Sequence, residues 1–124
     1  MTDLSSLAGR AVLVAEDEFV VAEDLVHALE QRGARIVGPA ASVAHALQLV
    51  EDCASLDAAV LDINLKGEMA FHVADTLLAR GVPFVFATGY DSGVVPHRYC
   101  GIVRCEKPVE PDEVARALMR ETLG

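Results

Sequence analysis

Three consecutive carboxylates, Glu16, Asp17 and Glu18, close an apolar run that begins at Val12. Like charges placed side by side repel unless a cation or water screens each of them. Two further apolar runs and a mixed, strand-like one also end in a residue able to do chemistry: Asp62 after AAVL, Thr88 after FVFA, and Lys107 at the end of GIVRCEK. Clustered acids are hard oxygen ligands of the kind Mg2+ takes, with waters completing its octahedron. Such a cation would relieve the repulsion among the acids. Lys107 brings a point charge for phosphate oxygens, and Thr88 brings a hydroxyl donor for the same atoms. A carboxylate in that company can act as a nucleophile and form an acyl phosphate.

These residues meet only if the intervening elements bring the run ends to one edge. RAVLVAE (10–16) is a short, almost wholly apolar run, as expected for a strand buried on both faces. EFVVAEDLVHALEQRG (18–33) carries Val21, Leu25 and Leu29 at helical spacing, with Gly33 as its stop. ARIVGPA (34–40) reads as a second strand that Gly38-Pro39 ends, and Ser42 caps the helix VAHALQLVEDC. LDAAVLDINL (56–65) is a third strand and EMAFHVADTLLARG (68–81) a helix. VPFVFATG (82–89) and GIVRCEKP (101–108) are the fourth and fifth strands, and Pro111 opens a last helix to Leu123.

Alternating strands and helices with short connections give an α/β fold, a parallel sheet with helices on both faces, in one domain over 1–124. In such sheets ligands bind outside the carboxyl ends of the strands. The acids, Thr88 and Lys107 all fall at that edge. The stretch YDSGVVPHRYC (90–100) contains Gly93 and Pro96 and is a poor helix, so the fourth helix is expected to be short or disordered. Asp91 to Tyr99 is expected to be mobile or only briefly helical at rest.

Composition removes several classes of function. The net charge of −9, from 19 acids against 10 bases, would be repelled by a phosphate backbone, so direct nucleic-acid binding is not expected. No run reaches membrane-spanning length, and the first ten residues lack the features of a signal peptide. The odd set Cys53, Cys100 and Cys105 reads as reduced thiols in a cytoplasmic protein. The four histidines never fall three or four apart, so they offer no helical metal pair.

The set as a whole resembles the receiver domain of two-component response regulators over essentially the whole chain. The matching residues are Glu16-Asp17 as the acidic pair, Asp62 as phosphoacceptor, Thr88 as switch hydroxyl and Lys107-Pro108 as the lysine motif. The resemblance implies a flavodoxin-like (βα)5 fold with strand order 2-1-3-4-5. It also implies Mg2+ held by Asp17, Asp62 and the backbone carbonyl of Asn64, with Glu16 reached through water. The partners it implies are a sensor histidine kinase and a downstream protein target or phosphotransferase. FATGY (86–90) further resembles the FAT GUY subgroup, found among bacterial stress and single-domain regulators. On this reading the chain is a phosphoacceptor switch and not a turnover enzyme.

Two departures stand out. Receivers carry Tyr or Phe three residues before the lysine, and here that position is Arg104. Arg104 is either a solvated side chain or a contact for partner acids. Tyr90 either takes over part of the signalling or covers the edge of the site. Glu18 is read as a helix N-terminal acid and not a ligand, and Glu106 as pointing away. A haloacid dehalogenase-type phosphatase would want a second Asp two residues after Asp62, where this chain has Asn64. A receiver-like module that takes no phosphate is opposed by the intact Asp62, Thr88 and Lys107. A flavin carrier would want a Ser/Thr-rich phosphate loop after the first strand.

Overall fold

The computed structural model describes residues 7–89 and 95–123. Five parallel strands form one sheet: β1 (Ala11–Ala15), β2 (Arg35–Ala40), β3 (Ala58–Asp62), β6 (Phe84–Thr88) and β7 (Arg104–Glu106). Their order is β2-β1-β3-β6-β7. The two missing numbers belong to a small antiparallel hairpin, β4 (Asn64–Leu65) and β5 (Glu68–Met69), so the order is the expected flavodoxin-like 2-1-3-4-5. Every residue of the three inner strands β1, β3 and β6 is buried, whereas the edge strands β2 and β7 are largely exposed.

Side chains alternate across a strand, and the alternation divides the core in two. Leu13, Leu61, Phe84 and Phe86 face α2 (Val43–Asp52) and α3 (Phe71–Ala79). Val12, Val14, Val60 and Val85 face α1 (Phe19–Glu30) and α4 (Pro111–Leu123), meeting Leu25, Leu29, Val114 and Leu118. Helices α1, α2 and α3 each return the chain to the start of a parallel strand, and every strand delivers its carboxyl end to the same edge. Ser42 caps α2 by accepting from the His45 N–H at 3.1 Å. Past α1, Gly33 has a φ of +89°, and a Cβ there would stand 2.8 Å from the Ala8 backbone.

Two boundaries differ from expectation. Gly38-Pro39 does not end the second strand, because β2 continues through it to Ala40 with a shift in its register against β1. The helix expected from residue 68 begins at Phe71. Lys66 and Gly67 both have positive φ, 54° and 86°, which is the backbone of a tight hairpin turn. That turn folds Glu68-Met69 back onto Asn64-Leu65 before the helix can start.

Between Val95 and Val103 the chain makes one 3-10 turn, His97–Tyr99, in place of an α-helix. Tyr90 and residues 91–94, part of the segment expected to be mobile, lie outside the described residues.

Candidate functional site

The carboxyl ends of β1, β3, β6 and β7 bring Glu16, Asp17, Asp62, Thr88 and Lys107 to one open cleft of about 1000 Å3, with Glu16 beneath its surface. Each position follows from strand register. Ala15 lies beside Leu61, Asp62 beside Ala87, and Thr88 beside Glu106, so the next residue of each chain segment emerges at the rim. Glu16, Asp62 and Thr88 are the buried polar side chains among the described residues, and all other buried side chains are hydrophobic.

Lys107 is the hub. Its Nζ donates to Asp62 Oδ2 and to Glu18 Oε1 at 2.8 Å each, and to Glu16 Oε2 at 3.3 Å. Burial opposes its charge, but the hydrogen bonds to Asp62 and Glu18 outweigh burial and hold its pKa above the ordinary lysine range. Backbone donors fix the acids. Glu18 N–H donates to Glu16 Oε2 at 2.9 Å, Asn64 N–H to Asp62 Oδ1 at 3.1 Å, and Lys66 N–H to Asp17 Oδ2 at 2.9 Å. The β4–β5 hairpin, which the sequence reading did not anticipate, therefore anchors the cleft floor. Asn64 itself lines the cleft, and its Oδ1 accepts from Gly67 N–H at 2.8 Å. Thr88 Oγ1 donates to Gly89 O at 3.0 Å, and Lys107 N–H donates to Thr88 O at 2.7 Å.

Three carboxylates, Glu16, Glu18 and Asp62, share the Lys107 ammonium, with Asp17 beside them, and Glu16 carries the cost. Burial, with Asp62 alongside, pushes its pKa up to about 7. Its Oε1 is buried with no hydrogen-bond partner. Oxygens of Glu16, Asp17 and Asp62 lie within 4.8 Å of one another. An orphaned buried oxygen inside an all-oxygen acid cluster fits a hard divalent cation.

Glu18 sits at the N-cap of α1 as expected of a helix N-terminal acid, yet its side chain makes no cap hydrogen bond and reaches Lys107 instead. No spacing rule signals that contact, because the two residues are far apart in the chain. Glu106 is exposed and is not among the partners of Lys107. Arg104 is exposed on β7, in register with Phe86. Tyr90 lies outside the described residues.

A second cluster lies on the α3 side of the sheet. Tyr99 donates to Phe71 O at 3.0 Å and also to the Asp75 carboxylate. Arg98 binds both oxygens of Asp75, at 3.0 and 3.2 Å, and lies over the Tyr99 ring. The hydrogen bonds from Arg98 and Tyr99 lower the Asp75 pKa, while burial and Asp75 raise that of Tyr99 to about 12. Nothing in the sequence pairs these residues.

No family model matches the chain, and no curated protein matches it. Solved structures do. SdrG from Sphingomonas melonis Fr1 is 40% identical, with 94% of this chain and 95% of that chain covered and a TM-score of 0.77. The BeF3-activated conformation of SdrG from Pseudomonas melonis Fr1 matches at the same identity and coverage with a TM-score of 0.70. The PhyR stress response regulator is 26% identical at a TM-score of 0.78, over 97% of this chain and 47% of that one, so this chain spans about half of PhyR. A response regulator receiver protein from Sinorhizobium medicae WSM419 shares the fold, at 23% identity, a TM-score of 0.76 and coverage of 94% and 97%. The chain belongs to the response-regulator receiver family.

Proposed function

We propose that this chain is a phosphorelay response regulator of the FAT GUY subgroup that accepts a phosphoryl group on Asp62 from a sensor histidine kinase. The observation that carries the reading is the 2.8 Å contact of Lys107 Nζ with Asp62 Oδ2, at the base of an acidic cleft beside Thr88. Asp62 is buried yet reachable from that cleft, so an incoming group meets its carboxylate with little competing water.

Asp17 and Asp62 would hold Mg2+ with the Asn64 carbonyl, and Glu16 would reach it through water; the bound ion supplies charge neutralisation for attacker and phosphoryl oxygens. Asp62 attacks phosphorus in line, a P–O bond forms, and the P–N bond to the kinase histidine breaks. The leaving imidazole nitrogen keeps the electron pair and takes a proton from solvent. Lys107 pairs with one phosphoryl oxygen, and Thr88 turns its hydroxyl from Gly89 O toward another. The product is a labile acyl phosphate, so the chain is a timed switch and not a turnover enzyme.

As a receiver domain acting in the cytoplasm, it passes its state on by protein contacts, to a downstream target or a phosphotransferase. Among the described residues, no helix is long and apolar enough to cross a membrane. The test is intact-mass measurement after incubation with a small phosphodonor and Mg2+. One added phosphate, labile to hydroxylamine and absent from Asp62→Asn, is the expected result. Equal labelling of Asp62→Asn would show that the acceptor lies elsewhere.

A further inference from the structure

We infer that Glu18 is a positioning residue that competes with the phosphoryl group for Lys107, and so sets how firmly the site holds that group. This rests on the phosphoacceptor reading above and adds a regulator to it.

An ammonium has three protons to donate. In this structure Lys107 points all of them at carboxylates: Asp62 and Glu18 at 2.8 Å, and Glu16 at 3.3 Å. A phosphoryl group on Asp62 uses one of that carboxylate's oxygens and takes away its charge, so a further proton of the ammonium turns to the phosphoryl oxygens only if the contact to Glu16 or Glu18 yields. The three contacts are not equal. The side chains of Glu16 and Asp62 are 1% and 5% exposed, so neither carboxylate can turn to water. The Glu18 side chain is 60% exposed, and on release its carboxylate is hydrated at once.

Glu18 can let go without moving the backbone. Its N–H stays on Glu16 Oε2 at 2.9 Å, and its carboxylate makes no cap bond whose loss would loosen α1. Rotation of the side chain alone frees one proton of Lys107 toward the cleft. The Glu18–Lys107 contact is thus the resting occupant of the position that a phosphoryl oxygen takes later.

Beryllofluoride, an inorganic mimic of the phosphoryl group, tests this in the full chain at saturating Mg2+, followed by amide shifts. Glu18→Gln removes the charge, while Glu18→Asp keeps it but shortens the reach by one methylene. Both should bind beryllofluoride roughly 1.5- to fivefold tighter than wild type, the range expected from releasing one partly exposed ion pair. Asp24→Asn removes a neighbouring exposed cleft acid that no hydrogen bond or ion pair links to Lys107, and should leave affinity unchanged. If Glu18→Gln and Glu18→Asp bind as wild type does, Glu18 is not a competitor. If Asp24→Asn tightens binding as much as Glu18→Gln does, general cleft charge is the cause and the inference fails. Failure of the wild type itself to bind at Asp62 would instead count against the phosphoacceptor reading.

Discussion

The Tyr99 ring meets Phe86 edge to face, with centroids 5.6 Å apart, directly behind the strand that ends in Thr88. It also stacks on Phe71 at 5.4 Å. Phe86 pairs in register with Arg104, the position where receivers of ordinary pattern carry an aromatic residue. An aromatic side chain therefore still backs the Thr88 strand, but it is supplied by the 3-10 turn and tethered to α3 through Asp75.

Tyr99→Phe should lower stability by about 1 kcal/mol through loss of the hydroxyl bonds, and Tyr99→Ala by about 3–5 kcal/mol through the cavity it leaves. Urea unfolding at neutral pH measures both. An alanine variant as stable as the phenylalanine one would mean that the ring is not part of the core.

The same residue gives an alkaline limb with a defined sign. The Tyr99 pKa rises from 10.0 unfolded to about 12 folded, chiefly by burial. Below pH 10 the phenol is protonated in both states and its contribution to stability is complete. As pH climbs toward 12 the unfolded state loses the proton first, so that contribution is lost. Wild type minus Tyr99→Phe, measured across this window, should fall with pH; a flat difference would contradict the assignment.

Metal binding should register at the strand ends. Titration with Mg2+ is expected to move the amides of 16–18 and 62–64, and Asp17→Asn should weaken binding roughly tenfold or more. Shifts confined to residues remote from these two segments would remove the acid cluster as the metal site.

Much of this was legible in the sequence for a simple reason. Strand ends are set by where an apolar run meets a polar residue, so Asp17, Asp62, Thr88 and Lys107 could be placed at one edge before any contact was known. The two-sided core followed from strands apolar at every position. The β4–β5 hairpin was not legible, because a lysine at positive φ carries no signature and a two-residue strand has no period. Nor were Glu18 with Lys107 or Asp75 with Tyr99, since long-range polar contacts leave no periodic trace. Glu18 was readable as a helix N-terminal acid, and its side chain took the stronger partner, a cation at 2.8 Å.

Removing Lys107 should move two measurements in opposite directions. Without the ammonium, Asp62 and Glu16 lose their only cationic partner among the described residues, so a divalent ion gains affinity for the cluster. Phosphoryl uptake loses a charge-assisted donor and should slow roughly tenfold or more. Lys107→Ala is thus expected to bind Mg2+ more tightly at pH 8 while labelling more slowly in intact-mass assays. A parallel fall in both would point to a collapsed cleft.

Glu16 offers a last separation of stability from function. Its pKa is raised by burial from 4.5 to about 7, so folding favours its protonated form. The group's contribution to stability is complete below pH 4.5 and is lost as pH rises through about 7, leaving a buried charge with an unpaired oxygen. Glu16→Gln has nearly the same shape and never carries that charge. Metal-free Glu16→Gln should therefore be more stable than wild type above pH 7 by about 1–2 kcal/mol, part of the gain being offset by a weaker bond to Lys107. The advantage should shrink toward pH 5, where wild type takes up the proton. Saturating Mg2+ should narrow the gap at pH 8 as well, because wild type then gains more from the ion than the variant does. Thermal unfolding at pH 5 and 8, with and without Mg2+, gives the comparison, and a variant less stable than wild type at pH 8 without metal would show that the Glu16–Lys107 pair outweighs the buried charge.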